Sequence, residues 1–293
     1  MGYINLYVKP SKPILGSRRK FEDSKYVILG VPFDSTSTFR SGSRFTPQAI
    51  RTLIDNLETY SIRTGIDLED VALCDIGDLN ESLSVDEMLH MVKSVVSEII
   101  GYGKIPITIG GEHTLTLGIV KTLPEVQVVF LDAHLDLRDE YLGCKVCHAT
   151  VARRILELSN VKSIFHIGVR AISKEEYIFS SSMNIPYITT LDLRRGFKKA
   201  ISIVESRLDK NTPIYISIDM DVLDPAYAPS VANPEPDGID TGMLLDIIEY
   251  LASYKVIGLD IVEATPMYDS GLTILQASKI LIEAIGYIEV GRR

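Results

Sequence analysis

The sequence predicts an α/β fold on a mostly parallel sheet of about eight strands, and three observations carry that reading. Short β-branched apolar runs alternate with stretches of helical period. Three of those runs end in Asp and His residues, which places a polar site at one edge of the sheet. No linker or low-complexity break divides the 293 residues, so one domain is expected over 1–293. This alternation fits either a closed barrel or an open three-layer sandwich, and both put the site where the strands end.

Residues 1–24 hold Pro10, Pro13 and a mixed-charge segment, and they read as an irregular N-terminal arm. Tyr26 to Val31 is the first strand. Residues 32–45 are too rich in Ser, Thr and Gly for a core element. Thr46 then reads as the cap of a helix with Pro47 in its first turn. A second strand over Val71–Ile76 precedes Ser84-Val85-Asp86-Glu87, a capping-box sequence that opens a helix running to about Ile100. Further strands are expected at Ile105–Ile109, Val126–Leu131, Ser163–Gly168, Pro186–Ile188, Pro213–Ile218 and Val256–Val262. Between them come a short helix after His113, one from about Ala149 to Leu158, others near Glu175 and Ala200, and one over Thr241–Tyr250; a last helix starts at about Leu272. Residues 225–236 have no periodicity, and so long a proline-rich loop is expected to be functional or mobile.

Three strand ends carry the chemistry. Asp132, His134 and Asp136 follow Val126–Leu131; if the chain stays extended there, all three side chains point one way. Asp219 and Asp221 follow a second apolar run, and Gly110-Gly111-Glu112-His113 follows a third. Two carboxylates about 5 Å apart at an effective dielectric of about 20 repel by roughly 3 kcal/mol, so such a cluster calls for a cation. The bland alternative is a set of polar strand ends bonded to neighbouring loops.

A net charge of -9 with only scattered basic pairs argues against a nucleic-acid partner. No apolar run is long enough to span a bilayer and Met1 to Ser24 lacks a signal-peptide core, so no membrane partner and a cytoplasmic location are expected. The 3 cysteines make no disulfide framework, and Cys144-x-x-Cys147 alone is an incomplete zinc site. Cys144-Lys145-Val146-Cys147-His148 does match the c-type haem attachment pattern, a remote electron-transfer alternative that leaves the carboxylates unexplained.

Gly110-Gly111-Glu112-His113, Asp132-Ala133-His134-Leu135-Asp136 and Ser217-Ile218-Asp219-Met220-Asp221-Val222-Leu223-Asp224-Pro225 together resemble the ureohydrolase family, the arginases and agmatinases. The likeness extends through Gly30-Val31-Pro32-Phe33-Asp34 and Leu57-Glu58-Thr59-Tyr60, and is greatest to agmatinase. It implies an open α/β/α sandwich with a parallel eight-stranded sheet, and a homo-oligomer, trimer or hexamer. It also implies two Mn(2+) per chain, held by His113, Asp132, His134, Asp136, Asp219 and Asp221. Four aspartates balance two divalent cations, and oxygen-rich coordination suits Mn(II) without excluding Zn(II) or Co(II).

By the same resemblance a metal-bridging hydroxide, oriented by Asp136, attacks the guanidinium carbon of a small cationic substrate. Agmatine would give putrescine and urea, a step of polyamine biosynthesis. His148 looks like the proton shuttle, although without the resemblance it reads as a surface histidine at a helix start. Glu263 looks like the guanidinium acceptor, and Asp224 is expected to hold the turn before Pro225. Leu137-Arg138 and Gly143-Cys144 stand where arginases grip the amino-acid end, which speaks against arginine. Asp136-Leu137-Arg138 also resembles formimidoylglutamase, so that activity, guanidinobutyrase and arginase stay as alternatives, together with a non-catalytic member of the family. Ala149 and Ser230–Asn233 depart from the usual glycine-rich pattern and bear on loop shape.

Overall fold

The computed structural model describes residues 2–292, and its strands are β1 (Val8–Lys9), β2 (Tyr26–Val31), β3 (Leu73–Leu79), β4 (Ile105–Gly110), β5 (Val126–Leu131), β6 (Val161–Val169), β7 (Tyr187–Thr189), β8 (Ile214–Asp219) and β9 (Val256–Val262). They form one sheet in the order β1-β3-β2-β4-β9-β8-β5-β6-β7. Every pairing is parallel except that of β1 with β3. The helices are α1 (Tyr3–Tyr7), α2 (Thr46–Leu53), α3 (Val85–Gly101), α4 (Leu115–Val120), α5 (Val151–Leu156), α6 (Lys174–Ser182), α7 (Thr190–Arg195), α8 (Phe197–Arg207), α9 (Thr241–Leu251) and α10 (Leu272–Val290).

Strands β2, β4, β5 and β8 are buried at every residue, which is why they read as unbroken apolar runs. Their alternate side chains enter two separate cores. On one face Ile28, Ile107, Val129 and Ile216 pack with Ile50 of α2, Val204 of α8, Ile247 of α9, and Leu281 and Ile285 of α10. On the other, Val27, Leu29, Val128 and Phe130 pack with Val92 of α3, Leu117 of α4 and Ile155 of α5. Helices therefore cover both faces of an open sheet, and the barrel alternative falls.

Three local expectations need correction. The arm over 1–24 is not wholly irregular: it forms α1 and β1, with Val8 opposite Leu79. Elements of five and two residues are too short to show a period, and partners far along the chain hold them. Glu98 of α3 accepts from the Ile4 N–H at 2.9 Å, and Tyr7 O accepts from the Asn80 N–H at 2.8 Å. Thr46 lies inside α2 rather than capping it, because a 3-10 turn over Ser43–Phe45 precedes it and its hydroxyl donates to Ala264 O. Ser84 does cap α3, but the Glu87 carboxylate accepts from the Ser82 hydroxyl at 2.6 Å, so the reciprocal half of the box is missing.

Candidate metal centre and reaction cavity

The four central strands β4, β9, β8 and β5 lie side by side although β5 follows β4 in sequence. The strand order switches there, which opens a crevice at their C-terminal ends. His113 follows β4, Asp132, His134 and Asp136 follow β5, Asp219 ends β8 with Asp221 in the 3-10 turn after it, and Glu263 follows β9. Gly111 lets the chain after β4 pass directly against the loop after β2, since a Cβ there would lie 1.8 Å from Phe33 O.

All six expected ligands converge. His113 Nδ1 lies 3.4 Å from Asp132 Oδ2, 3.2 Å from Asp136 Oδ2 and 3.4 Å from Asp219 Oδ2. His134 Nδ1 lies 2.9 Å from Asp221 Oδ2 and 3.6 Å from Asp132 Oδ1. Two groups able to hold a metal result, His113/Asp132/Asp219 and Asp132/His134/Asp221, sharing Asp132. The segment after β5 reaches this arrangement by bending rather than by staying extended. Asp132 Oδ1 accepts from the His134 N–H at 2.6 Å, and Asp136 takes a left-handed φ of 50°.

Burial and mutual repulsion raise the carboxyl pKa values of Asp132, Asp136 and Asp219, that of Asp136 to about 7. Burial opposes protonation of His113 and His134, but the surrounding carboxylates outweigh it and raise both well above the ordinary value. His113 Nδ1 and Asp132 Oδ2 are buried without a hydrogen-bond partner among the described residues. These orphaned atoms and the excess of carboxylate fit divalent cations with oxygen-rich coordination.

A second set of contacts, not legible in the sequence, orients His113. Its Nε2 lies 2.9 Å from Ser217 Oγ, and Ser217 donates to Asp260 Oδ1 at 2.6 Å. Tyr215 and Thr116 donate to the other oxygen of Asp260 at 2.7 and 2.9 Å. The single hydroxyl proton of Ser217 is thereby directed at Asp260, so Nε2–H donates to Ser217 and Nδ1 is left for the centre.

A cavity of about 470 Å³ opens on the cluster, lined among others by Arg138, Tyr141, His148, Glu176, Glu235 and Glu263. Glu263 is buried with a left-handed φ of 65°. Its Oε1 accepts from the His113 N–H at 2.6 Å, and its Oε2 has no hydrogen-bond partner among the described residues. Burial first, then Glu112, raises its pKa well above the usual carboxylate range. His148 begins a 3-10 turn, but it is buried, not on the surface. Burial, with the charges of His113 and His134, pushes its pKa down to about 4.

The proline-rich loop contributes Asn233 and Glu235 to the cavity. Arg170 fastens that loop by donating to Glu235 O at 2.8 Å and to Asp221 O at 2.6 Å. Nothing in the sequence distinguished Arg170 or Glu235, because the contacts join segments far apart in the chain. Asp224 holds its turn as expected, accepting from the Ala226 and Gly238 N–H groups at 2.9 Å each. Ser230 is also structural, its hydroxyl accepting from the Tyr268 N–H at 3.0 Å. Cys144 is exposed, whereas Cys147 is buried with its sulfur accepting from Thr150, so it offers no exposed thiol for haem attachment.

A sequence model of the arginase family matches residues 24–286. The agmatinase of Pyrococcus horikoshii is 36% identical over 268 residues, covering 90% of this chain and 92% of that protein. The N(1)-aminopropylagmatine ureohydrolase of Thermococcus kodakarensis is 36% identical over 274 residues, covering 90% and 91%. Among solved structures, the agmatine ureohydrolase of Thermoplasma volcanium superposes with a TM-score of 0.89 at 41% identity, covering 96% of each chain.

Proposed function

This chain belongs to the arginase family, and on that premise we propose that it is a binuclear-metal hydrolase of a guanidino compound, with agmatine as substrate and urea and putrescine as products. The observation that carries the reading is the pair of ligand groups sharing Asp132, beside the unpartnered Glu263 Oε2. His113, Asp132, Asp136 and Asp219 would hold one cation, and Asp132, His134 and Asp221 the other. Two divalent cations bound there supply a water acidic enough to be a nucleophile near neutral pH. Manganese is the metal we assign, on the oxygen-rich donor set.

Glu263 Oε2 would accept N–H groups of the guanidinium and fix its carbon over the centre. Asp136 would direct the nucleophile toward that carbon. His148 is neutral at rest because burial lowers its pKa to about 4; once protonated it is a strong acid, suited to handing a proton to the leaving amine. The relatives named as agmatinases support agmatine. We also assign the chain to the cytoplasm, polyamine formation and a homo-oligomer; no described helix is long and apolar enough to cross a membrane.

A second reading rests on Arg138, which lines the cavity and would suit a substrate with a carboxylate tail, such as formimidoylglutamate or guanidinobutyrate. Glu176, whose Oε2 lies 3.8 Å from Arg138 Nε, offsets that charge. The test is product release by Mn-loaded protein offered agmatine, arginine, guanidinobutyrate and formimidoylglutamate. Urea from agmatine at the highest kcat/KM is expected. Preference for either carboxylate-bearing compound overturns the agmatine assignment.

A further inference from the structure

One hydroxyl away from His148, across Thr36, lies a buried carboxylate that the reaction described above does not use. Glu112 is wholly buried, and three donors converge on it. Thr36 N–H reaches Oε2 at 2.7 Å, while the hydroxyls of Thr36 and Thr114 reach Oε1 at 2.6 Å each. The lone pairs of Thr36 Oγ1 face His148, with the backbone N at 3.3 Å and Nδ1 at 3.2 Å.

A hydroxyl has one proton to give. With that proton directed at a carboxylate, the stronger acceptor, Thr36 can only accept from the imidazole. We propose that Thr36, held by Glu112, is a positioning residue that fixes His148 in the tautomer protonated on Nδ1 and so keeps Nε2 as the proton acceptor. The inference rests on the reading of His148 as the proton carrier.

The opposite nitrogen agrees with this assignment. Nε2 lies 3.4 Å from the hydroxyl of Thr38, which lines the cavity with His148. That exposed hydroxyl can turn to donate to Nε2, so it does not compete for the tautomer. Tyr141 meets the imidazole edge-on at 5.9 Å, and His113, His134 and Asp221 act on it through charge alone. The same construction recurs at His113, where Ser217 gives its proton to Asp260 and accepts from the ring. In each case a hydroxyl between a buried carboxylate and an imidazole selects which ring nitrogen is free.

The test is nitrogen NMR on protein carrying labelled histidine and loaded with diamagnetic Zn(II); the chain has only 5 histidines, and His148→Ala identifies the signal. Wild type should show Nδ1 protonated and Nε2 bare. Thr36→Val keeps the backbone N–H to Glu112 but removes the hydroxyl; it should mix the tautomers and lower kcat about 10-fold with little change in KM. Thr36→Ser should restore both. In the His148→Ala background, Thr36→Val should add no further loss. A proton on Nε2 in wild type, or an unchanged tautomer in Thr36→Val, overturns the proposal. If the tautomer shifts as expected but His148→Ala turns over at the wild-type rate, Thr36 is upheld and the proton-carrier reading of His148 fails instead.

Discussion

Glu263 Oε1 accepts the backbone N–H of His113 at 2.6 Å, while Glu263 Oε2 is left without a partner among the described residues. One carboxylate thus ties the end of β9 to the residue that follows β4 and keeps an oxygen for a ligand. Glu263→Gln can still accept from His113 N–H through its amide oxygen, but it loses the charge. We expect kcat/KM to fall by about 10²-fold or more with metal content and melting temperature retained. A destabilised variant with normal kcat/KM would reduce Glu263 to a structural tie.

His148→Ala should slow turnover by about 10²- to 10⁴-fold without lowering metal content, since the imidazole contacts threonines rather than the ligand cluster. Rate and metal analysis on one preparation check this. A rate near wild type would remove it from proton transfer.

Asp132 is shared by both ligand groups, so its loss should affect both sites together. Wild type is expected to hold two metals per chain and Asp132→Asn fewer than one, and chelation of wild type should abolish turnover. Full activity at one metal per chain would refute the binuclear reading.

His166 stacks on Phe130 at 4.7 Å in the core, and burial pushes its pKa down to about 3 from 6.5. Between those values the unfolded chain binds the proton and the native protein does not. Stability therefore falls as pH drops through that window, by up to about 1.4 kcal/mol per pH unit. His166→Phe should flatten this dependence. Denaturant unfolding of chelated wild type and variant between pH 6.5 and 4.5 measures it; parallel curves would show that His166 does not contribute.

The sequence determined every strand but the two-residue β1, and the residues at the strand ends, because an apolar run bounded by polar residues is a local pattern. His113, Asp132, His134, Asp136, Asp219 and Asp221 stood out for that reason, whereas Glu263, which follows β9, was singled out by the resemblance to the ureohydrolases. Only the tertiary structure decided that β9 and β8 enter between β4 and β5 and that His148 is buried. The contacts of Thr36 with His148, of Ser217 with Asp260 and of Arg170 with Glu235 span 112, 43 and 65 positions. Such pairs leave no period in the chain: a hydroxyl in a Ser/Thr-rich loop becomes a positioning group only when packing brings a buried carboxylate and an imidazole to its two sides.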